Sequence, residues 1–162
     1  MDENPRIADL RKKLEKDPGS RLFAQLAEEL RKEGRHEEAI QIAYAGLDKH
    51  PNYPSARLTL ARALLDTGYV PEARPELEQV VKASPDNIMA GRLLAETLEQ
   101  LGEEAAALKQ FERTLLLSPG DKAMMERVAA LKAKPRPSTP LPTPAPAAAF
   151  SATPAPAVTP AP

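Results

Sequence analysis

Glutamates stand side by side at Glu28-Glu29, Glu37-Glu38 and Glu103-Glu104; of the two histidines, His36 adjoins the second pair and His50 lies 12 residues beyond it. Paired carboxylates suit general acid–base chemistry, and carboxylates joined by imidazoles suit a divalent metal. The spacing argues against both. Adjacent residues of a helix point in different directions, and an exposed helix surface cannot drive two carboxyl pKa values apart. Glu37-Glu38 and Glu103-Glu104 read instead as acidic first turns that complement a helix dipole. His36 and His50 are separated by 14 residues, roughly 21 Å along a helix axis, so they cannot share an ion within one helix. His36 reads as a surface or inter-helix packing residue, His50 as a helix-end cation. The chain has no cysteine and no phosphate loop, nucleophile elbow or HExxH spacing. No catalytic residue, cofactor or metal is expected, and the chain is not expected to be an enzyme.

Composition narrows the remaining classes. A net charge of −1 lacks the basic excess of a nucleic-acid binder. Three Phe, three Tyr and no Trp leave few platforms for stacking bases. No stretch approaches the roughly 20 apolar residues that span a bilayer, and the charged start MDENPRIADLRKKLEK does not resemble a signal peptide. A cytoplasmic protein without membrane insertion is the expectation.

What positions the charged residues is a repeat. Pro18, Pro51, Pro85 and Pro119 are spaced by 33, 34 and 34 residues, and Gly34, Gly68 and Gly102 by 34. A period of that length marks stacked helix-turn-helix units. Aligned on the glycines, the first helix of each unit carries Leu26-Ala27, Leu60-Ala61 or Leu94-Ala95, then Leu30, Leu64 or Leu98. The second carries Ala39, Ala73 or Ala107, then Ala43, Leu77 or Phe111, then Leu47, Val81 or Leu115. Spacings of three and four put each set on one face. Glycine serves as the left-handed helix stop, and proline discourages continuation of the second helix.

These residues resemble the tetratricopeptide repeat (TPR). The family's small residue in the first helix matches Ala27, Ala61 and Ala95; its alanine opening the second matches Ala39, Ala73 and Ala107; its terminal proline matches Pro51, Pro85 and Pro119. The resemblance implies an all-α fold, a right-handed superhelical solenoid of about eight helices. Repeats are placed at 20–53, 54–87 and 88–119, between capping helices in 1–19 and 120–134. In the first cap, Ile7, Leu10 and Leu14 of Pro5–Lys16 face inward. In the last, Asp121 caps Lys122–Lys134, with Met124, Met125, Val128 and Leu131 available as cover. Two departures predict looser packing in later repeats. The early aromatic is Phe23 but then Arg57 and Gly91, and the late small residue is Gly46 but then Val80 and Thr114. Pro75, close after Pro71, predicts a late start or a bend in its helix.

In such proteins the first helices line a concave groove that grips another protein. The matching positions are Arg21, Ala24, Glu28 and Arg31, then Ser55, Leu58, Arg62 and Leu65, then Met89, Arg92, Glu96 and Glu99. Leucines, a methionine and arginines suit a partner peptide or helix offering apolar and acidic groups. A competing reading makes Glu28, Arg62 and Glu96 a charge ladder between repeats, each pair contributing at most about 1 kcal/mol. The carboxylate clamp of some TPR proteins is Lys-Asn-Asn-Lys-Arg. Here those sites hold Ala24, Glu28, Thr59, Met89 and Leu93, so that mode of binding is not expected.

Residues 135–162 hold ten of the 18 prolines and one charge, Arg136. This Pro/Ala/Thr-rich tail is expected to be disordered with polyproline character. It serves as a flexible spacer or as a second contact for a partner, with Phe150 as an anchor. The function implied is a non-enzymatic adaptor or scaffold. The alternative is a secretion chaperone resembling the class II type III family, which holds an export substrate; such chaperones lack a long proline-rich terminus.

Overall fold

The computed structural model describes residues 4–135, which form eight α-helices and no strand. They are α1 (Pro5–Lys16), α2 (Phe23–Lys32), α3 (His36–Lys49), α4 (Pro54–Asp66), α5 (Val70–Ala83), α6 (Ile88–Gln100), α7 (Glu104–Leu117) and α8 (Lys122–Ala133). The proline-rich tail beyond Pro135 lies outside the described residues, as do residues 1–3.

The spaced prolines and glycines end the helices. Asp17, His50, Ser84 and Ser118 close α1, α3, α5 and α7, with φ of −135°, −129°, −138° and −138° and ψ of 85°, 68°, 78° and 71°. Each precedes one of the periodic prolines, whose Cδ pushes the preceding residue out of the helical region. Gly34, Gly68 and Gly102 have φ of 77°, 82° and 78°. The residue after each glycine donates its N–H to a carbonyl five positions back: Arg35 to Leu30, Tyr69 to Leu64 and Glu103 to Leu98, at 2.9, 2.8 and 2.9 Å. That is the left-handed helix stop that glycine adopts without a Cβ clash.

Helix starts follow equally local chemistry. The side chains of Asn4, Asn87 and Asp121 accept from the N–H groups of Arg6, Ala90 and Met124, satisfying donors that have no partner inside the helix. α2 begins at Phe23, later than the repeat pattern implies. Asp17 accepts from the Gly19 N–H at 3.1 Å and the Ser20 hydroxyl from the Leu22 N–H at 3.3 Å, and such turns compete with helix. α5, by contrast, starts at Val70 and runs through Pro75, so the late start expected there does not occur. Pro75 is exposed and close to the helix start. The Pro71 carbonyl that it deprives of a donor can turn to solvent.

Consecutive helices pack on one another, and α2 also packs directly on α4. The hairpins α2–α3, α4–α5 and α6–α7 thereby stack into a right-handed superhelical TPR-type solenoid. The six aligned alanines, Ala27, Ala61, Ala95, Ala39, Ala73 and Ala107, are fully buried. Larger side chains there would hold the axes apart.

The looser packing expected from Gly91 is not found. An ideal Cβ at Gly46 would overlap the Phe23 ring, and one at Gly91 would lie 2.5 Å from Thr114 Oγ1. A large residue on one helix therefore meets a glycine on the other. The contributor switches between the first and third hairpins, and the space stays filled.

At the ends, α1 buries Ile7 and Leu10 with Leu14 partly covered. α8 buries Met124, Val128 and Leu131, whereas Met125, expected in the same cover, is exposed. Adjacent residues cannot both face α7. No described helix is long and apolar enough to cross a membrane, and no group of three or more metal-ligating side chains occurs among the described residues.

Candidate protein-binding groove

The candidate groove lies along α2, α4, α6 and α8. The 34-residue period places equivalent side chains of these helices in register, so charges at fixed positions can meet across a helix–helix seam. Of the twelve residues expected to line it, Ser55 and Met89 are exposed, with Met89 at 51%, and Leu58 and Leu65 are half-buried against the core. Ala24 is buried instead, at 8%, because it faces the hydrophobic cluster that includes Leu26 and Ala56. Arg21 sits in the turn before α2. Its guanidinium carbon lies 5.5 Å from the centroid of the Tyr53 ring, a cation–π placement. Tyr53 in turn sets its edge against Phe23, and His50 stacks on Phe23 at 5.9 Å while its Nε2 lies 2.7 Å from the Gly19 carbonyl. His50 thus closes α3 as a packing residue.

The arginines already have acidic partners. Glu28 accepts from Arg31 at 2.9 Å and from Arg62 at 3.3 Å, and Arg31 reaches Asp66 at 2.7 Å. Burial pushes the Glu28 carboxyl up, but the Arg31 bond and the charges of Arg31, Arg62 and Lys32 outweigh it and leave the group below its ordinary value. The same acidic contacts push the Arg31 guanidinium up, its bond to Glu28 most of all. At the other end Arg92 contacts Glu96 at 3.2 Å and Asp121 at 3.4 Å, and Arg127 meets Glu99 at 3.3 Å. The charge ladder therefore exists from α2 to α4, through Glu28 and Arg62. Glu96 pairs within its own helix rather than with Arg62.

These pairs tie α2 to α4 and α6 to α8. Between α4 and α6 the repeat register places Leu58, Leu65 and Met89 on this face, the two leucines half-buried and Met89 exposed. An apolar centre thus lies between two ion-paired shoulders. Asp66, Asp121 and Arg127 belong to this surface although sequence reasoning did not select them for it. The signal for α8 was present: Ala129 lies 34 residues after Ala95, so α8 continues the register as the first helix of an incomplete fourth unit. His36 is half-buried, with Nδ1 3.8 Å from Asp66, consistent with inter-helix packing.

Residues 30–95 match the family model described as tetratricopeptide repeat. Among solved structures, MamA from Desulfovibrio magneticus RS-1 is 19% identical with a TM-score of 0.73, covering 78% of this chain and 72% of that one. The second TPR domain of human RPAP3, in complex with the HSP70 peptide SGPTIEEVD, is 24% identical with a TM-score of 0.63, covering 69% of this chain and 93% of that one. The first TPR of Spaghetti (RPAP3), bound to the HSP90 peptide SRMEEVD, is 20% identical with a TM-score of 0.64, covering 68% and 88%. No curated protein matches the sequence. At such identities the likeness is one of fold.

Proposed function

Since this chain is a tetratricopeptide repeat protein, we propose that it is a non-enzymatic adaptor that holds a peptide or helix of another protein in the groove of its first helices. The observation that carries this reading is the apolar centre, half-buried Leu58 and Leu65 with exposed Met89 in the same register, between ion-paired shoulders. A guest carboxylate reaching Arg62 or Arg92 exchanges one exposed ion pair for another, a difference within about 1 kcal/mol. Apolar burial, at about 25 cal/mol per Å², therefore supplies the affinity, and the arginine–glutamate shoulders select among guests.

The RPAP3 domains bind peptides ending in EEVD, but the same mode does not suit this chain. Of the five clamp positions, Ala24 and Thr59 are buried, Glu28 is acidic, and Met89 and Leu93 are apolar. Glu28 would repel a terminal carboxylate. The guest we favour is an amphipathic segment with one or two apolar anchors, its acidic groups set to the sides.

The test is a crosslinking pull-down, with circular dichroism as the control for folding. Met89→Lys is expected to lose most of the captured partner, and Arg62→Glu with Arg92→Glu to weaken capture to a smaller extent, helicity remaining intact in each. Capture unchanged in both variants would remove the groove from consideration. Recovery of a single unfolded, membrane-penetrating substrate would support the secretion-chaperone reading instead.

A further inference from the structure

The outer face of α7 departs from the repeat. It carries Lys109, Arg113, Leu116 and Leu117 where the first hairpin has Gln41, Ala45, Asp48 and Lys49. The second hairpin has Pro75, Gln79, Lys82 and Ala83 at the same places. All of these side chains are exposed, Leu116 at 83%. Two neutral positions have thus become cations, and a charged one has become leucine. Spacings of four and three residues set Lys109, Arg113 and Leu116 in one stripe along the helix.

The stripe borders a hollow of about 730 Å³ between α7 and α8, where Val128 and Lys132 form the α8 side. Lys132 pairs with Glu112 across it at 2.7 Å. Among the described residues Lys109 and Arg113 form no ion pair. The hollow therefore keeps a surplus of two positive charges beside its exposed leucine. The groove differs on this point, because Arg31, Arg62, Arg92 and Arg127 there already hold carboxylates. A carboxylate entering the groove exchanges one pair for another, whereas one reaching Lys109 or Arg113 adds a pair. No helix follows α8 among the described residues, so among them none covers this seam.

We propose that this hollow docks an acidic amphipathic helix of another protein, with carboxylates at positions i and i+4 and an apolar anchor at i+7. Such a guest sets its charges about 6 Å apart and its anchor about 10.5 Å from the first. The same rises separate Lys109, Arg113 and Leu116 on α7. Running parallel to α7, the guest places its carboxylates against the two free cations and its anchor between Leu116 and Val128. Charge decides among occupants. A second copy in a self-complementary contact would bring the same basic stripe to both sides. Anionic lipid is read by clusters of about four to eight basic residues, more than the two free cations here. Burial of the anchor supplies apolar contact, and the cations select the guest. The inference does not rest on the groove reading, since no residue of the stripe lines the groove.

The experiment titrates the full chain, methyl-labelled at Leu, Val and Met, with a synthetic alanine-based peptide of about 18 residues, long enough to be helical alone. The probe carries Glu at i and i+4 and Leu at i+7; a control carries Lys in place of each Glu. Saturable shifts of the Leu116 and Val128 methyls with the Glu probe alone are the expected result. Lys109→Glu with Arg113→Glu should weaken that binding at least about tenfold, because two attractions become repulsions. Leu116→Ser should weaken it about fivefold through lost apolar contact. Met89→Lys, which removes the groove's own anchor, should leave these shifts in place. No saturable shift, an equal response to the Lys control, or binding indifferent to the charge reversal would each overturn the proposal. Shifts confined to Leu58 and Met89 would overturn it too, while leaving the groove reading standing. Cosedimentation with phosphatidylserine vesicles, lost on the same charge reversal, would assign the patch to a membrane surface. A dimer broken by Leu116→Lys would assign it to a second copy, and either assignment replaces the guest helix.

Discussion

The first and third hairpins solve one packing problem from opposite sides. In the first, the Phe23 ring of α2 fills the slot and Gly46 of α3 gives it room; in the third, Gly91 of α6 gives the room and Thr114 of α7 fills it. Thr114 also donates its hydroxyl to the Gln110 carbonyl at 2.9 Å, so its polar atom is satisfied despite burial. What the first and third hairpins share is a side chain set against a glycine, not the helix that supplies either. Interiors packed to near-crystalline density permit that exchange and penalise half of it.

The largest expected effect comes from emptying the filled side of the first slot. Phe23→Ala should cost about 3–5 kcal/mol of unfolding free energy, read as a lower denaturation midpoint, and it also removes the ring on which His50 stacks and Tyr53 rests. Gly46→Val overfills the same slot and should cost about 1–3 kcal/mol. The sharper experiment transplants the third hairpin's solution into the first. Phe23→Gly combined with Gly46→Thr should be less destabilising than the sum of its two single changes. Strict additivity would mean the slots are not equivalent. Gly91→Ala should destabilise by about 1–2 kcal/mol, and Thr114→Ala in the same chain should recover part of that loss.

The two ion-paired shoulders supply the smallest effect. The folded carboxyl of Glu28 lies below its ordinary value of 4.5. The sign follows from linkage: a group depressed in the folded state stabilises the protein above its unfolded pKa, and that contribution fades as pH falls through the lower folded value. Glu28→Gln should therefore lower thermal stability at pH 7 by under about 1 kcal/mol. The difference from the native chain should narrow in melts run progressively below pH 4.5. A gap that stays constant into acid would show that packing, not the Glu28 charge, is at work.

Much of the architecture was legible because it is written in residues with strong local preferences. Glycine at a left-handed stop and proline after a helix end act within a few residues, so their period gave the hairpins, and Asp121 and Pro5 marked helix starts. The α2 boundary was misread because Asp17 and Ser20 favour turns over helix, a competition between local signals of similar strength. The late start expected at Pro75 failed because a helix interior proline near an exposed first turn loses only one bond. The groove was legible in register but not in availability. Nothing in the spacing says that Ala24 turns inward, that Arg21 falls short of the helix, or that Arg31 and Arg92 already hold Asp66 and Asp121.

The order of residues alone determined that hairpins form, how long they are and that they repeat, since capping and backbone strain are settled over one or two turns of chain. Tertiary structure alone decided which partner each side chain meets. Phe23 and Gly46 lie 23 positions apart, and Arg31 and Asp66 lie 35 apart; only stacking the helices brings them together. Contacts between distant residues depend on the rise and rotation of each hairpin on the next, quantities set by packing volume rather than by any neighbour in the sequence.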